Sequence, residues 1–182
     1  MTIPNQLTLL RILLIPVFVL VFYLPFSWNN LFACAIFALA AVTDVLDGYL
    51  ARKLNQTSLL GAFLDPVADK LMVAVALVLL VQQNPVIQLA LPAAVIIGRE
   101  IAVSALREWM AEIGARSKVA VSVLGKVKTI AQMVALGFLI FKDSVLGLPV
   151  YTIGLVLLYI AAFLTLVSMF QYLLAAWPKL KE

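Results

Sequence analysis

Histidine is absent from the 182-residue sequence, and cysteine occurs once, at Cys34. The first absence excludes histidine metal ligands and histidine acid–base catalysis. The second excludes an intrachain disulfide and a cysteine-based metal site. A general base in this chain must therefore be a carboxylate, a lysine, a tyrosine or the substrate itself.

Charged residues are also scarce: they make up 12% of the chain, whereas 65% is hydrophobic and the mean hydropathy is +1.12. A soluble domain has about 25% charged residues. Six apolar segments have roughly the 20 residues that a helix needs to cross a bilayer. The composition predicts an all-α integral membrane protein in which residues 1–182 form one domain of six transmembrane helices. The predicted spans are about 7–25, 31–52, 58–82, 86–110, 119–141 and 150–176.

The net charge of +4 indicates membrane topology and not nucleic-acid binding. Lysine and arginine gather in the turns after the second and fourth spans and in the C-terminal tail, whereas the turns at about 25–30 and 82–85 have none. Cytoplasmic loops carry the excess of positive charge. Both termini and the basic turns are therefore predicted to lie in the cytoplasm.

Arg11 stands one or two turns inside the first apolar span. Its guanidinium can extend along the helix to the cytoplasmic interface, or it can pair with acidic residues inside the protein. We favour the first alternative from the sequence alone.

Four of the nine acidic residues lie between Asp44 and Asp69, in the stretch DVLDGYLARKLNQTSLLGAFLDPVAD. Asp44 and Asp47 are three residues apart, and Asp65 and Asp69 are four apart, so each pair shares one helix face. Carboxylates beside long apolar runs are costly to bury unpaired, which makes them candidates for function. Oxygen ligands without histidine or cysteine favour a hard divalent cation, Mg²⁺ or Mn²⁺.

Written as a pattern, this stretch is D-x2-D-G-x2-A-R-x8-G-x3-D-x3-D, and every position resembles the signature of the CDP-alcohol phosphotransferases. The six-span layout is similar to that family too, so the resemblance covers essentially the whole chain. It implies displacement of CMP by an alcohol, two divalent cations and a homodimer. It also implies that the first three aspartates bind the metals with the nucleotide diphosphate, and that Asp69 contacts a metal and takes the proton of the attacking hydroxyl. The implied CDP-binding residues are Asp44, Asp47, Gly48, Ala51, Arg52 and Gly61.

Two features of this stretch have a structural interpretation as well. The small residues Gly48, Ala51 and Gly61 can let a nucleotide approach the backbone, or they can form a helix-packing seam. Thr57 or Ser58 is a candidate N-cap for the third span. Pro66 is expected to bend that span or to free a carbonyl beside Asp65.

The acceptor alcohol has to be inferred from the basic residues of the fourth and fifth spans. A positive pocket suits an acceptor that is itself phosphorylated, such as glycerol 3-phosphate or inositol phosphate, although each basic residue can also be a topology signal. Glu100 and Arg107 are seven residues apart and share a face. The candidates for binding the acceptor phosphate are Arg107, Lys126 and Lys128.

Three shorter segments, PNQLTLLRI, GREIAVSALREWMA and GKVKT, are similar to bacterial phosphatidylglycerophosphate synthases within this family. This resemblance implies CDP-diacylglycerol as donor, sn-glycerol 3-phosphate as acceptor and a bacterial inner membrane. One alternative is a related enzyme that makes phosphatidylinositol phosphate or cardiolipin. An alternative of another class is a small cation transporter, because buried carboxylates also mark ion pathways.

Overall fold

The computed structural model describes residues 3–54, 58–114, 123–144 and 147–180, without the side chains of a few helical residues such as Arg52 and Lys126. These ranges contain six helices and no β-strand, as the composition predicted. The helices are α1 (Ile3–Tyr23), α2 (Asn29–Lys53), α3 (Leu59–Gln83), α4 (Ile87–Glu112), α5 (Val123–Phe141) and α6 (Val150–Leu180).

Within the described ranges, four helical segments are long and apolar enough to cross a membrane: Pro4–Tyr23, Asn29–Ala51, Ile87–Glu112 and Val150–Trp177. Helix α5 contributes a shorter apolar segment, Val127–Phe141. The prediction of six helices is thus confirmed, and four of them meet the requirements for a membrane span by length and composition.

The helices pack as a closed ring in the order α1, α2, α5, α6, α4 and α3. Helix α1 lies between α2 and α3 and contacts each of them more extensively than they contact each other. The structure thus places a third helix beside both aspartate-bearing helices, so residues of α1 belong to the same region as the aspartates.

All six helices contribute to one apolar core, which includes Phe18, Phe37, Leu77, Ile96 and Leu136. The ring of Phe18 lies 6.2 Å from that of Phe37, which joins α1 to α2. Large apolar side chains also cover the outside of the ring. Such a surface is abnormal in water but normal in lipid. The side chains of Val45 and Leu174 are 70% and 72% exposed.

Ser58 begins α3 in an extended conformation, and its hydroxyl accepts a hydrogen bond from the Gly61 amide at 3.0 Å. The predicted N-cap is therefore confirmed at Ser58. Helix α3 continues through Pro66 without interruption, as α1 continues through Pro16 and α4 through Pro92. Proline removes a backbone donor but is tolerated in helices packed within a membrane.

Candidate functional site

The end of α2 and the beginning of α3 bring three aspartates to one end of the helix ring. We call Asp44, Asp47 and Asp65 the acidic cluster. Asp47 is 3% exposed and lies within electrostatic range of the other two carboxylates. The spacing of Asp44 and Asp47 on one helix face, predicted from the sequence, accounts for their shared direction.

Arg11 of α1 lies inside this cluster and does not extend to the interface. Its Nη1 atom is 2.6 Å from Asp44 Oδ1, and its Nη2 atom donates to Asp47 Oδ2. The residue is 1% exposed. Our preference for an interfacial Arg11 is wrong, because α1 packs between α2 and α3 and turns this side chain toward two buried or half-buried carboxylates. The alternative, pairing with the aspartates, is confirmed.

One turn earlier on α1, Thr8 lies against the other aspartate helix. Its hydroxyl is 2.5 Å from Asp65 Oδ1, 3.4 Å from Asp47 Oδ2 and 3.1 Å from the carbonyl of Pro4. Because a hydroxyl has a single proton, it can donate to only one of these oxygens at a time. Thr8 and Arg11 together connect α1 to both aspartate-bearing helices.

Gly61 allows α1 to approach the first turn of α3. A Cβ atom at this position would lie 2.7 Å from Asn5 Oδ1 and 3.2 Å from the hydroxyl oxygen of Ser58. Asn5 Oδ1 itself accepts a hydrogen bond of 2.8 Å from the Ser58 hydroxyl. The packing interpretation of Gly61 is therefore supported, since a larger residue would displace Asn5 from the start of α3.

Asp69, one turn after Asp65, stands at the junction between the acidic cluster and a second region. It lies within electrostatic range of Asp44 and Arg11 on one side and of Glu100 and Lys128 on the other. It also lines a cavity of about 230 Å³. We call this cavity the basic pocket. Its lining comes from α3, α4, α5 and α6: Pro66, Asp69, Lys70, Val73, Arg99, Glu100, Arg107, Lys128, Thr129, Gln132 and Tyr172.

Four basic and two acidic side chains line the basic pocket, so its net charge is positive. Glu100 separates two of the cations: its Oε1 atom accepts from Lys128 at 2.5 Å and from Arg99 at 3.1 Å. Arg99 also donates to the Ser168 hydroxyl at 2.7 Å, and its guanidinium lies 5.5 Å from the ring centre of Tyr172. Helices α4, α5 and α6 thus hold the cations in place through one network.

The predicted site residues are distributed over both regions. Asp44, Asp47 and Asp65 form the acidic cluster, Arg107 and Lys128 line the basic pocket with Glu100, and Asp69 borders both. Gly48 and Ala51 lie on α2 close to Asp47 in the chain. The side chains of Arg52 and Lys126 lie outside the described part of the structure.

The residues at the site that were not among the predicted site residues include Thr8, Arg11, Arg99, Gln132 and Tyr172. A signal existed for the first two, because positions 4, 8 and 11 share one helix face. No sequence signal distinguished Gln132 and Tyr172. Each is one of several polar or aromatic residues in its helix, and only the packing of α5 against α6 and of α6 against α4 brings it to the pocket.

The donor set fits a hard divalent cation, since it consists of carboxylate oxygens beside a hydroxyl. In the described residues no three acidic side chains stand close enough together to coordinate one ion as they are. The positive charge between Asp44 and Asp47 is instead the guanidinium of Arg11. This arrangement shows that a cation is accommodated between the two carboxylates.

Comparison with known proteins agrees with the geometry. Residues 1–167 match the model of a family described as CDP-alcohol phosphatidyltransferase. The chain is 59% identical to a Pseudomonas fluorescens protein over 186 aligned positions, covering 100% of the chain and 93% of that protein. It is 58% identical to a Sodalis glossinidius protein (100% and 98% covered) and 57% identical to a Shigella flexneri serotype 5b protein (96% and 94%). All three relatives are named CDP-diacylglycerol–glycerol-3-phosphate 3-phosphatidyltransferase. The family resemblance that the aspartate pattern indicated is confirmed.

Proposed function

Because the chain belongs to the CDP-alcohol phosphatidyltransferase family, we propose that it transfers the phosphatidyl group of CDP-diacylglycerol to sn-glycerol 3-phosphate. The products are phosphatidylglycerol phosphate and CMP. Identity of 57–59% over nearly the full length of relatives that carry this enzyme name supports the reaction. The structural observation that carries the proposal is the position of Asp69. Its carboxylate lies beside the acidic cluster and also lines the positively charged pocket.

The acidic cluster is the donor side of the site. Asp44, Asp47, Asp65 and Asp69 would hold two divalent cations, Mg²⁺ or Mn²⁺, which offset the charge of the diphosphate when bound. The backbone and side chains at the end of α2 and the start of α3 would bind the CDP group. These residues are Asp44, Asp47, Gly48, Ala51, Arg52 and Gly61. The acyl chains of the donor would extend between the helices into lipid, because the outer surface of the ring is apolar.

The basic pocket is the acceptor side. A glycerol 3-phosphate dianion needs positive charge around its phosphate, and the pocket supplies Arg99, Arg107 and Lys128 within one cavity. Lys126 is a further candidate for binding the acceptor phosphate, because it lies on α5 two residues before Lys128. A neutral or zwitterionic acceptor would make no use of the excess positive charge in the pocket, whereas a phosphate would gain charge-assisted hydrogen bonds from it. The pocket therefore favours a phosphorylated acceptor.

Asp69 is the proposed general base, because it is the carboxylate that reaches both substrates' regions. The acceptor hydroxyl gives its proton to Asp69 while its oxygen attacks the β-phosphorus in line. The new phosphorus–oxygen bond forms as the bond to CMP breaks, and CMP leaves with the electron pair. The chain thus contributes positioning, charge and one proton acceptor, which is what phosphoryl transfer mainly requires.

The proposed orientation in the membrane is set by the end of the helix ring that carries the aspartates. We propose that all six helices cross a bacterial cytoplasmic membrane, with both termini and the site on the cytoplasmic side, where glycerol 3-phosphate is soluble. The sequence has basic residues in the α2–α3 and α4–α5 connections, in agreement with the positive-inside rule. A homodimer, implied by family resemblance, belongs to the proposal as well.

The test is CMP release by the purified protein in detergent, with CDP-diacylglycerol and one acceptor at a time. We expect release with glycerol 3-phosphate, and none with inositol phosphate or phosphatidylglycerol. A preference for either of the other acceptors would contradict the assignment. Divalent-metal flux into proteoliposomes without nucleotide would instead support the cation transporter, which the clustering of helical carboxylates toward one end of the ring does not favour.

A further inference from the structure

Arg11 occupies a position that the proposed mechanism does not explain. It belongs to α1, outside the aspartate pattern, yet it is 1% exposed and pairs with two of the carboxylates that would hold metal. Its Nε atom is buried and has no hydrogen-bond partner in the described part of the chain. A buried guanidinium with incomplete hydrogen bonding is costly, so a purely structural role would be poorly optimised.

We propose that Arg11 is an exchangeable counter-cation. It neutralises Asp44 and Asp47 when no divalent ion is bound, and it must release them when an ion binds. The inference rests on the proposed metal-binding role of these aspartates. Its basis is that the guanidinium contacts the same carboxylate oxygens that a divalent ion would need.

The electrostatics of the cluster favour the exchange. The carboxylates of the cluster repel one another, and Asp47 is almost fully buried, so the cluster needs a positive charge beside it, as Arg11 supplies here. A divalent ion and a guanidinium on the same oxygens would repel each other at short distance, where screening is weak. The cluster therefore holds either the guanidinium or the ion on these oxygens.

The geometry also provides a way for Arg11 to leave. Asp44 is half exposed, with 44% of its side chain accessible, so the Arg11–Asp44 pair lies at the open edge of the cluster. Thr8 anchors α1 to Asp65 one turn earlier, independently of Arg11. The helix can thus remain in place while the long arginine side chain changes rotamer.

The experiment compares the wild type with Arg11→Met, which removes the charge and keeps an apolar stem. The control is Lys53→Met, which removes one positive charge from the exposed end of α2, where Lys53 contacts the Tyr49 ring and not an aspartate. Two quantities are measured without substrate. They are the melting temperature in detergent, with EDTA or with saturating Mg²⁺, and the dissociation constant for Mn²⁺, from the electron paramagnetic resonance signal of the free ion.

In EDTA, we expect Arg11→Met to melt about 10 °C lower than the wild type, because two carboxylates lose their partner. Saturating Mg²⁺ should return the melting temperature to near the wild-type value. The variant should bind Mn²⁺ about tenfold more tightly, because the ion no longer displaces a competing charge. Lys53→Met should match the wild type in both measurements.

Mn²⁺ binding that is equal to or weaker than that of the wild type would overturn the proposal, since Arg11 would then be a neutral or supporting neighbour of the ion. A variant that stays unfolded or destabilised at saturating Mg²⁺ would overturn it too, because the ion could not replace the guanidinium. If neither protein binds Mn²⁺, the metal role of the aspartates fails together with the exchange. If both proteins bind Mn²⁺ with the same dissociation constant, the metal role of the aspartates stands and the exchange fails.

Discussion

The acidic cluster and the basic pocket lie on either side of Asp69, and they are built in different ways. The cluster takes its carboxylates from neighbouring turns of α2 and α3, which are adjacent in sequence, and α1 closes it with Arg11. The basic pocket takes its residues from four helices, and two of its four cations, Arg99 and Lys128, are held by a network through Glu100. One side is encoded locally and the other depends on the packing of distant helices.

Under the proposed function, this difference has a consequence for what each side would recognise. The acidic cluster has few degrees of freedom, since residues three or four apart on a helix share a face, and it suits a ligand group common to a whole family, such as a nucleotide diphosphate. The basic pocket depends on α4, α5 and α6, where single substitutions can change the acceptor without altering the cluster. We therefore expect donor specificity and acceptor specificity to respond to separate substitutions.

The largest expected effect on turnover is at Asp69, which lies between the acidic cluster and the basic pocket. Asp69→Asn should lower turnover by about 10³-fold or more, because it removes the proton acceptor while keeping the side-chain shape. CMP release measures the effect, and circular dichroism with gel filtration in detergent shows whether the protein is folded. Asp143→Asn, in the turn after α5, is the control and should retain full activity. Near-normal turnover of Asp69→Asn would remove Asp69 from its role.

A smaller effect that sharpens the comparison is expected at Arg107, an exposed residue at the edge of the basic pocket. Arg107→Gln should raise the KM for glycerol 3-phosphate about tenfold, because a charge-assisted hydrogen bond to phosphate is lost. Lys53→Gln removes a charge on the donor side, outside the pocket, and serves as the control. An unchanged acceptor KM in Arg107→Gln would show that this arginine does not contact the phosphate.

The smallest effect concerns how α1 is fixed against the cluster. Gly61→Ala places a Cβ atom against Asn5 and should destabilise the protein by about 1–3 kcal/mol, through loss of the Asn5–Ser58 hydrogen bond and local displacement. Thermal unfolding in detergent measures it. Gly98→Ala on α4, beside the basic pocket, is a matched control, because a Cβ atom there meets nothing within 4 Å. Equal stability of the two variants would show that α1 does not depend on this close approach.

Much of the fold could be predicted from sequence, because apolar segments of membrane length have few alternatives to helices. The number of helices, the Ser58 N-cap and the direction of the aspartate pairs follow from local rules. The position of α1 does not, since nothing in an apolar helix of this kind specifies which neighbours it will have. The predicted position of Arg11 was wrong for this reason. The sequence shows a charge within an apolar span, but it does not show which carboxylates form ion pairs with that charge.

The composition of the basic pocket could also be predicted only in part from the sequence. Arg107 and Lys128 could be selected as candidates for binding the acceptor phosphate because they are charged residues within or beside predicted spans, and both line the pocket. Arg99 and Glu100 stand out in sequence as charges within a span. The pairing of Arg99 with Ser168 and of Glu100 with Lys128, however, depends on the ring order of α4, α5 and α6. Long-range packing, and not spacing along the chain, determines which cations share a cavity.

The central claim is that Asp69 joins a donor side to a separate acceptor side. The most direct measurement is the pair of KM values for Lys128→Gln, a buried residue of the basic pocket. We predict that the KM for glycerol 3-phosphate rises about tenfold or more while the KM for CDP-diacylglycerol stays within about twofold of the wild-type value. An equal rise in both constants, or a rise for CDP-diacylglycerol alone, would contradict the division of the site.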